Sequence, residues 1–187
     1  MEGSSHIRSG GRKQMFDLII GGSGSGKSEF AENCCMEKSG EKLYIATMEP
    51  FGEEGARRIA RHRRLRAGKG FVTLECYTHL EEAKIPTGSA VLLECMSNLL
   101  ANEIFSPDGR KQGLPDLIEK GMEHLLERAG HVVVVTNDVF ADGLTYDRET
   151  EDYRRQLAEV NRRLAAKADR VYEVVCGIPL KIREKTG

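Results

Sequence analysis

The strongest constraint on the fold is a glycine-rich octapeptide close to the amino terminus. Residues 21–28 read Gly-Gly-Ser-Gly-Ser-Gly-Lys-Ser and match the pattern G-x-x-x-x-G-K-[ST]. An apolar run at 15–21 precedes the octapeptide, and a helical pattern containing Phe30, Ala31 and Cys34 follows it. In this context the glycines let backbone N–H groups curve around phosphate oxygens, and the following helix adds the positive end of its dipole. The sequence therefore predicts a strand, a phosphate-binding loop and a helix in succession.

The loop predicts a nucleoside triphosphate as the ligand. Lys27 is expected to reach the β- and γ-phosphates as the catalytic cation, and Ser28 to bind Mg²⁺. A magnesium ion held in this way usually has an acidic partner at the end of a neighbouring strand. Glu94, which closes an apolar run, is the first choice for that partner, and Asp138, after a valine-rich run, is the second. A flexible Gly/Ser hairpin is the alternative that the flanking strand and helix disfavour. The predicted phosphate contacts are Gly21, Gly22, Ser23, Gly24, Ser25, Gly26, Lys27 and Ser28.

Beyond the loop, short apolar runs alternate with segments of helical periodicity. This alternation is typical of α/β proteins, and the solidly apolar runs indicate parallel strands that are covered on both faces. Residues 149–167 are predicted to form an amphipathic helix, capped by Asp147, with the apolar stripe Tyr153, Leu157, Val160 and Leu164. We predict a three-layer α/β fold of the RecA-like phosphate-loop NTPase type, with a mostly parallel sheet and an antiparallel carboxyl-terminal edge strand. The expected strands are 15–21, 42–47, 71–76, 90–95, 131–137, 170–176 and 180–183, with an exposed loop at 106–115 and a turn at Gly177, Ile178 and Pro179.

Length and composition limit the organisation of the chain and its partners. A chain of 187 residues is long enough for one domain with a sizeable core, so we expect a flexible leader at 1–14 and a single domain at 15–187. The 28 basic and 29 acidic residues nearly cancel, which argues against a nucleic-acid or membrane binder with a charged surface throughout. Five cysteines without a C-x-x-C pair favour a reducing cytoplasm, and no apolar run predicts a membrane span.

The positive charge is concentrated in one segment, which has six arginines within residues 57–66. If this segment is a helix, Ile59 and His62 share a side with Leu65 or Arg66, one turn further on. The surrounding cations would favour the neutral, nucleophilic imidazole of His62 and would attract a polyphosphate. His62 is therefore a candidate catalytic group. The alternatives are an ordinary solvated helix face and, without interleaved aromatic residues, a less favoured nucleic-acid contact.

The order and spacing of several short strings along the chain resemble one enzyme family. Together with the phosphate loop they are similar to the bifunctional adenosylcobinamide kinase / adenosylcobinamide-phosphate guanylyltransferase family of cobalamin biosynthesis. The resemblance covers nearly all of residues 15–183. The strings are LYIAT at 43–47, R-I-x-x-H-x-x-x-R at 58–66, LLEC at 92–95, TNDV at 136–139, N-x-x-LAA-x-AD-x-V at 161–171 and GIPLKI at 177–182.

The resemblance implies a fold, two activities and a set of site residues. Residues 15–187 would be a kinase/nucleotidyltransferase domain that phosphorylates adenosylcobinamide and then transfers GMP from GTP onto the product through a guanylylated His62. It also implies ATP, GTP and Mg²⁺ as cofactors, a corrinoid substrate and a homotrimer, with the magnesium held by Ser28 and Glu94. The nucleotide contacts implied beyond the loop are Thr47, Met48, Glu49, Arg63, Arg64, Leu65, Arg66, Glu75 and Glu94.

The chain departs from the family pattern at several positions outside the loop and His62. Asp138 stands for a glutamate, Phe140 for a glycine, and the tryptophan expected beyond the histidine is absent. The segment 153–161 also lacks an acidic residue and a glycine of the pattern. Two alternatives therefore stay open: a kinase of another small alcohol or nucleoside in which His62 is structural, and a nucleotide-binding module without enzymatic activity.

Overall fold

The computed structural model describes residues 14–139 and 146–185. The expected leader thus lies outside the described residues except for Gln14, and so does Phe140. No helix of the described part is long and apolar enough to cross a membrane. A short 3-10 helix spans Leu80–Glu82. The remaining elements are β1 Met15–Gly21, α1 Lys27–Met36, β2 Lys42–Ala46, α2 Gly52–Arg66, β3 Phe71–Glu75, β4 Ala90–Glu94, α3 Met96–Phe105, α4 Leu114–Arg128, β5 His131–Asn137, α5 Arg148–Lys167, β6 Arg170–Val175 and β7 Ile178–Glu184.

The strands form one seven-stranded sheet in the order β3-β2-β4-β5-β1-β6-β7. Six strands are parallel, and only β7 runs antiparallel, alongside β6 at the edge. This arrangement confirms the predicted α/β class and its antiparallel carboxyl-terminal edge strand. Because the parallel strands point the same way, the segments that follow β1, β2, β4 and β5 all leave from one edge of the sheet. In open α/β sheets, ligands bind outside this carboxyl edge.

Separate apolar cores lie on the two faces of the sheet. Successive strand residues point to opposite faces, so Leu18 and Ile19 of β1 contribute to different cores. Helices α3, α4 and α5 pack on one face, and α1 packs on the other. The predicted stripe of α5 is confirmed, since Leu157, Val160 and Leu164 are buried in the first core and Tyr153 packs against it. This double coverage explains the unbroken apolar runs 90–93 in β4 and 132–135 in β5.

Several element boundaries also agree with the sequence. Helix α5 begins at Arg148, one residue earlier than predicted, and its cap is Asp147, whose side chain accepts a hydrogen bond from the Thr150 amide at 2.8 Å. The predicted loop lies between α3 and α4, although its last two residues, Leu114 and Pro115, already belong to α4. A proline in the first turn of a helix is tolerated because its missing N–H has no partner within the helix.

The predicted position of the turn before the last strand was wrong. The turn in the structure occupies Cys176 and Gly177, which have φ angles of 51° and 79°, whereas Ile178 and Pro179 already belong to β7. Two central residues with positive φ are typical of the tight hairpin turns that match the twist of antiparallel strands. Pro179 is compatible with β7 because this strand lies at the edge of the sheet, where a missing backbone donor is tolerated.

A charged cluster is buried between β1, β5 and β6. The Asp17 carboxylate is fully buried and accepts hydrogen bonds from Nε (2.7 Å) and Nη2 of Arg170. The Nε2 atom of His131 lies 3.1 Å from Asp17 Oδ2. Burial alone would raise the pKa of Asp17, but the nearby His131 and the hydrogen bonds from Arg170 outweigh it and hold the pKa below its usual value of 3.8. The cluster therefore fastens three neighbouring strands through one carboxylate.

Removal of this carboxylate should destabilise the protein. We expect Asp17→Ala to lower the free energy of unfolding at pH 7 by about 3 kcal/mol, because it leaves the Arg170 charge without its buried partner. Urea denaturation measures the change. The matched control is Asp152→Ala, which breaks an exposed pair with Arg155 and should cost less than about 1 kcal/mol.

The same cluster predicts a pH dependence. The pKa of Asp17 is lower in the folded chain than its usual 3.8, so its stabilisation is complete above that pH and decreases as the pH falls through the folded-state pKa. The stability difference between wild type and Asp17→Ala should therefore shrink in acid. Equal stability of the two proteins at pH 7 would contradict this account.

Candidate functional site

The octapeptide connects the carboxyl end of β1 to the amino end of α1. Gly24 and Gly26 have φ angles of 72° and 93°, a conformation that glycine adopts without strain, and Gly26 is the residue that precedes the first turn of α1. Gly22, Ser23 and Gly24 are exposed, whereas Gly21 is buried where β1 ends. The loop therefore exposes its central residues at the carboxyl edge, directly before a helix amino terminus. This is the geometry that binds phosphate groups.

The last hairpin of the sheet supports this loop from behind. The Gly177 amide, in the β6–β7 turn, donates a hydrogen bond of 2.8 Å to the Ser25 carbonyl. A Cβ atom on Gly26 would lie 3.0 Å from the Gly177 Cα, and one on Gly21 would lie 2.7 Å from the Val174 carbonyl oxygen. Close packing thus favours glycine at both positions, and at Gly26 the positive φ favours it as well. The sequence pattern alone did not reveal this contact.

Lys27 is the first residue of α1, and its side chain reaches back into the phosphate loop. Its side chain is buried, and its Nζ atom donates a hydrogen bond of 2.8 Å to the Gly22 carbonyl. Burial lowers the pKa of Lys27 from its usual 10.5, while the negative charges of groups such as Glu94 oppose that shift. The ammonium group is therefore held at the exposed part of the loop, where a phosphate would lie.

Ser28 and Glu94, the two predicted magnesium ligands, are in direct contact. The Ser28 hydroxyl donates a hydrogen bond to Glu94 Oε1, although the two residues are 66 positions apart in the chain. Hydroxyl and carboxylate oxygens are the donors that Mg²⁺ prefers, so these residues fit a magnesium ion. The second choice, Asp138, contacts the end of β1 with its backbone, because its amide donates a hydrogen bond of 3.2 Å to the Gly21 carbonyl.

Tyr44 is a site residue that the sequence analysis missed. Its hydroxyl donates a hydrogen bond of 2.9 Å to Glu94 Oε2, so both oxygens of this carboxylate have partners. Burial raises the pKa of the Tyr44 hydroxyl above its usual value, and the charge of Glu94 adds to the shift, so the phenol stays protonated. A tyrosine between Leu43 and Ile45, inside an apolar strand, was the available signal, because a buried phenol usually requires a hydrogen-bond partner.

The three residues predicted after β2 have different surroundings. The Thr47 hydroxyl accepts a hydrogen bond from the Cys95 amide at 2.7 Å and donates to the Cys95 carbonyl at 2.8 Å, which ties the ends of β2 and β4 together. Glu49 accepts a hydrogen bond from the Ser106 hydroxyl at 2.9 Å, and Met48 is half-buried. Thr47 thus has a structural role at the edge where nucleotide contacts were expected.

The arginine-rich segment forms the carboxyl-terminal part of the helix α2, which is the conformation assumed in placing His62. His62 is half-buried and Arg64 is exposed, while Leu65 belongs to the helix but its side chain lies outside the described part. No hydrogen bond among the described residues joins the His62 ring to the phosphate loop. Arg63 forms an ion pair with Glu75, at the end of β3, so two predicted nucleotide contacts are bonded to each other.

Arg66 connects the end of α2 to the sheet. Among the residues of α2 whose side chains are described, Arg66 alone is buried. Its Cζ atom lies 3.4 Å from the centre of the Tyr44 ring. An open cavity of about 480 Å³ lies beside this contact and is lined by residues of α2 and β3 that include Arg63, Arg66, Phe71 and Thr73. The predicted site residues are thus divided into two groups, one at the loop and one along α2, with Tyr44 between them.

The sheet order, the loop and its carboxylate partner define a phosphate-loop α/β protein of the nucleotide-binding class. The sequence profile of one family, described as "CobU: Cobinamide kinase / cobinamide phosphate guanyltransferase", matches residues 17–182. The chain belongs to this family, which confirms the resemblance drawn from the sequence strings. The family consists of transferases, so the expected enzyme class is confirmed as well.

Three curated relatives agree with this assignment. The chain is 34% identical over 183 residues to the "Bifunctional adenosylcobalamin biosynthesis protein CobU" of Escherichia coli and 33% identical to the protein of the same name in Salmonella typhimurium. Each comparison covers 90% of this chain and 100% of the relative. The "Bifunctional adenosylcobalamin biosynthesis protein CobP" of Pseudomonas aeruginosa is 30% identical over 174 residues, which cover 90% of this chain and 98% of that protein.

Lys27 provides the first test of the site. We expect Lys27→Ala to weaken binding of a non-hydrolysable GTP analogue by at least about tenfold, because a charge-assisted contact to phosphate is lost. Calorimetric titration measures the affinity. The control is Lys120→Ala, which removes an exposed lysine of α4 and should leave the affinity unchanged. Wild-type affinity in Lys27→Ala would exclude the loop as the phosphate site.

Proposed function

We propose that the chain phosphorylates adenosylcobinamide and then transfers GMP from GTP onto adenosylcobinamide phosphate through a guanylylated His62. The observation that carries the proposal is the contact between Ser28 of the phosphate loop and Glu94 at the end of β4. A phosphate loop whose Ser hydroxyl lies beside a strand-end carboxylate is suited to bind the triphosphate of a nucleotide together with its metal ion. Family membership supports the two activities, and the buried loop lysine supports phosphoryl transfer.

In the first reaction the loop holds ATP or GTP by its phosphates. Lys27 exchanges its hydrogen bond with the Gly22 carbonyl for the β- and γ-phosphates, where it stabilises the charge that develops during transfer. The Ser28 hydroxyl and the Glu94 carboxylate would hold Mg²⁺, which would supply positive charge to neutralise the phosphate oxygens. The hydroxyl oxygen of the aminopropanol arm attacks the γ-phosphorus, the bond to the β-phosphate oxygen breaks, and the hydroxyl proton leaves to solvent.

In the second reaction the imidazole of His62 acts as the nucleophile. A ring nitrogen attacks the α-phosphorus of GTP, the bond to the pyrophosphate oxygen breaks, and a phosphoramidate forms. A phosphate oxygen of adenosylcobinamide phosphate then attacks the same phosphorus and displaces the histidine. Covalent catalysis of this kind divides one difficult displacement into two easier ones. Neighbouring cations such as Arg63 and Arg64 attract the polyphosphate.

One observation favours a second candidate, a kinase without a histidine intermediate. No described hydrogen bond joins His62 to the phosphate loop, and α2 is mostly exposed, as an ordinary solvated helix would be. For guanylylation, α2 and the bound nucleotide must approach each other. The plain kinase, which would act on cobinamide or on another small alcohol or nucleoside, needs no such approach.

Labelling with GTP that carries ³²P at the α-phosphate distinguishes these functions. We expect the wild-type protein to acquire an acid-labile, base-stable label, because phosphoramidates have these properties, and His62→Ala to remain at background. His124→Ala is the matched control, since His124 lies on α4 and its Nε2 contacts the Ala83 carbonyl oxygen. Turnover of cobinamide without any label would favour the plain kinase. Nucleotide binding with neither label nor turnover would favour a non-enzymatic module.

We also propose that the chain assembles with copies of itself. Support comes from the exposed apolar residues of the edge strand, since Ile178, Leu180 and Ile182 alternate along β7 and are 61%, 47% and 60% exposed. Edge strands with exposed apolar rows readily pair with other chains. For the trimer implied by the family, light scattering should give a mass three times the 20.8 kDa of one chain. A monomeric mass at micromolar concentration would exclude the assembly.

A further inference from the structure

We propose that Tyr44 is a positioning residue that couples the phosphate loop to the helix carrying His62. Its hydroxyl orients the Glu94 carboxylate, and its ring holds Arg66 at the end of α2. The inference rests on the proposed function, since it assigns α2 to the second reaction. It adds a residue that contacts neither the phosphates nor the substrate, but acts through Glu94 on one side and Arg66 on the other.

The hydroxyl side of the coupling rests on the two oxygens of Glu94. Oε1 accepts a hydrogen bond from Ser28, and Oε2 accepts the 2.9 Å hydrogen bond from Tyr44. Ser28 and Glu94 would hold the metal ion, and the Tyr44 hydrogen bond to the second carboxylate oxygen would keep Glu94 in its orientation. A partner that orients a metal ligand from its second oxygen strengthens metal binding without contacting the metal. Tyr44 is only 3% exposed, which keeps water from replacing it.

The ring side of the coupling rests on Arg66. The guanidinium lies 3.4 Å from the centre of the Tyr44 ring, and its Nη1 atom is buried without a hydrogen-bond partner among the described residues. The face of the aromatic ring is therefore the main contact of this buried cation. Phe71 packs edge-on against the same ring, with centroids 6.2 Å apart, and limits its rotation.

This anchor controls the position of His62. His62 precedes Arg66 by one helical turn, so the two side chains lie on the same side of α2. The carboxyl end of α2 is fastened by Arg66 and, just beyond it, by the ion pair of Lys69 with Glu32 of α1. Near the start of α2, Gly52, Glu53, Ala56 and Arg57 are exposed. Movement of His62 toward a nucleotide on the loop therefore turns α2 about its carboxyl end, where Arg66 packs on Tyr44. Tyr44 is also the residue that orients Glu94, the proposed metal ligand.

Tyr44→Phe separates the hydroxyl from the ring. We expect the apparent half-saturating Mg²⁺ concentration for phosphoryl transfer to rise at least about fivefold and kcat to fall about tenfold, as for loss of a hydrogen bond to a charged group. In calorimetric titrations, Mg²⁺ should increase the affinity for a non-hydrolysable GTP analogue less than in wild type. Affinity without Mg²⁺ should be unchanged. The ratio of His62 labelling to phosphoryl transfer should also be unchanged, because the ring still holds Arg66.

Tyr44→Leu and Arg66→Met test the ring. Both remove the stacking contact, so both should lower the ratio of His62 labelling to phosphoryl transfer by about tenfold. Tyr172→Phe is the control for loss of a phenol on the same face of the sheet, where the Tyr172 ring contacts Phe30. It should change neither the Mg²⁺ dependence nor the ratio. Thermal unfolding of each variant shows whether it folds. If Tyr44→Leu and Arg66→Met do not fold, the Mg²⁺ dependence of Tyr44→Phe alone decides the proposal.

Two results would overturn the proposal. One is a Tyr44→Phe protein with the Mg²⁺ dependence of wild type in both binding and turnover. The other is an unchanged labelling ratio in folded Tyr44→Leu and Arg66→Met. Absence of label from the wild-type protein is a different outcome, since it rejects the role of His62. The calorimetric comparison with and without Mg²⁺ then still decides whether Tyr44 orients Glu94.

Discussion

The site depends on a carboxylate whose two oxygens are both held. Glu94 lies at the end of β4, where one oxygen accepts a hydrogen bond from Ser28 and the other from Tyr44. A charged group in such a place is stable only when it is hydrogen-bonded, because burial without partners is costly. Its position in turn requires that β4 lie between β2 and β5, with the phosphate loop one strand further along. The parallel sheet brings these groups together at its carboxyl edge.

The sheet achieves this through uniform apolar packing rather than through polar contacts. Nearly continuous apolar strands, such as β5, are covered by helices on both faces, which keeps their polar ends aligned at the edges. Two polar contacts then lock the edges. The buried Asp17 cluster fastens β1, β5 and β6, and the Thr47 hydroxyl ties the backbone after β2 to that after β4. The phosphate loop has its own support, the hydrogen bond from the Gly177 amide of the β6–β7 turn to the Ser25 carbonyl.

The helix α2 differs from the rest of the molecule. Its described side chains are mostly exposed, and its firm contacts lie at the carboxyl end, where Arg66 meets Tyr44. A helix with few buried apolar groups opens and moves at low free-energy cost. The proposed nucleophile His62, which would first meet a triphosphate and later a bulky corrinoid phosphate, would require such freedom. The family assignment and the arrangement of α2 are thus consistent with two successive reactions at one loop.

The sequence by itself determined the features that local patterns encode. Such features are the octapeptide, the apolar runs of the strands, the α5 stripe and the Asp147 cap. Each depends on residues close together in the chain, so the predictions for them agree with the structure. Pairing of Ser28 with Glu94 was also inferred, because strand ends in a parallel sheet share an edge. Only the tertiary structure decided the roles of Tyr44, Arg66, Gly177 and Asp17. Their partners lie on distant strands or helices, and neither strand order nor side-chain packing is written in any local pattern.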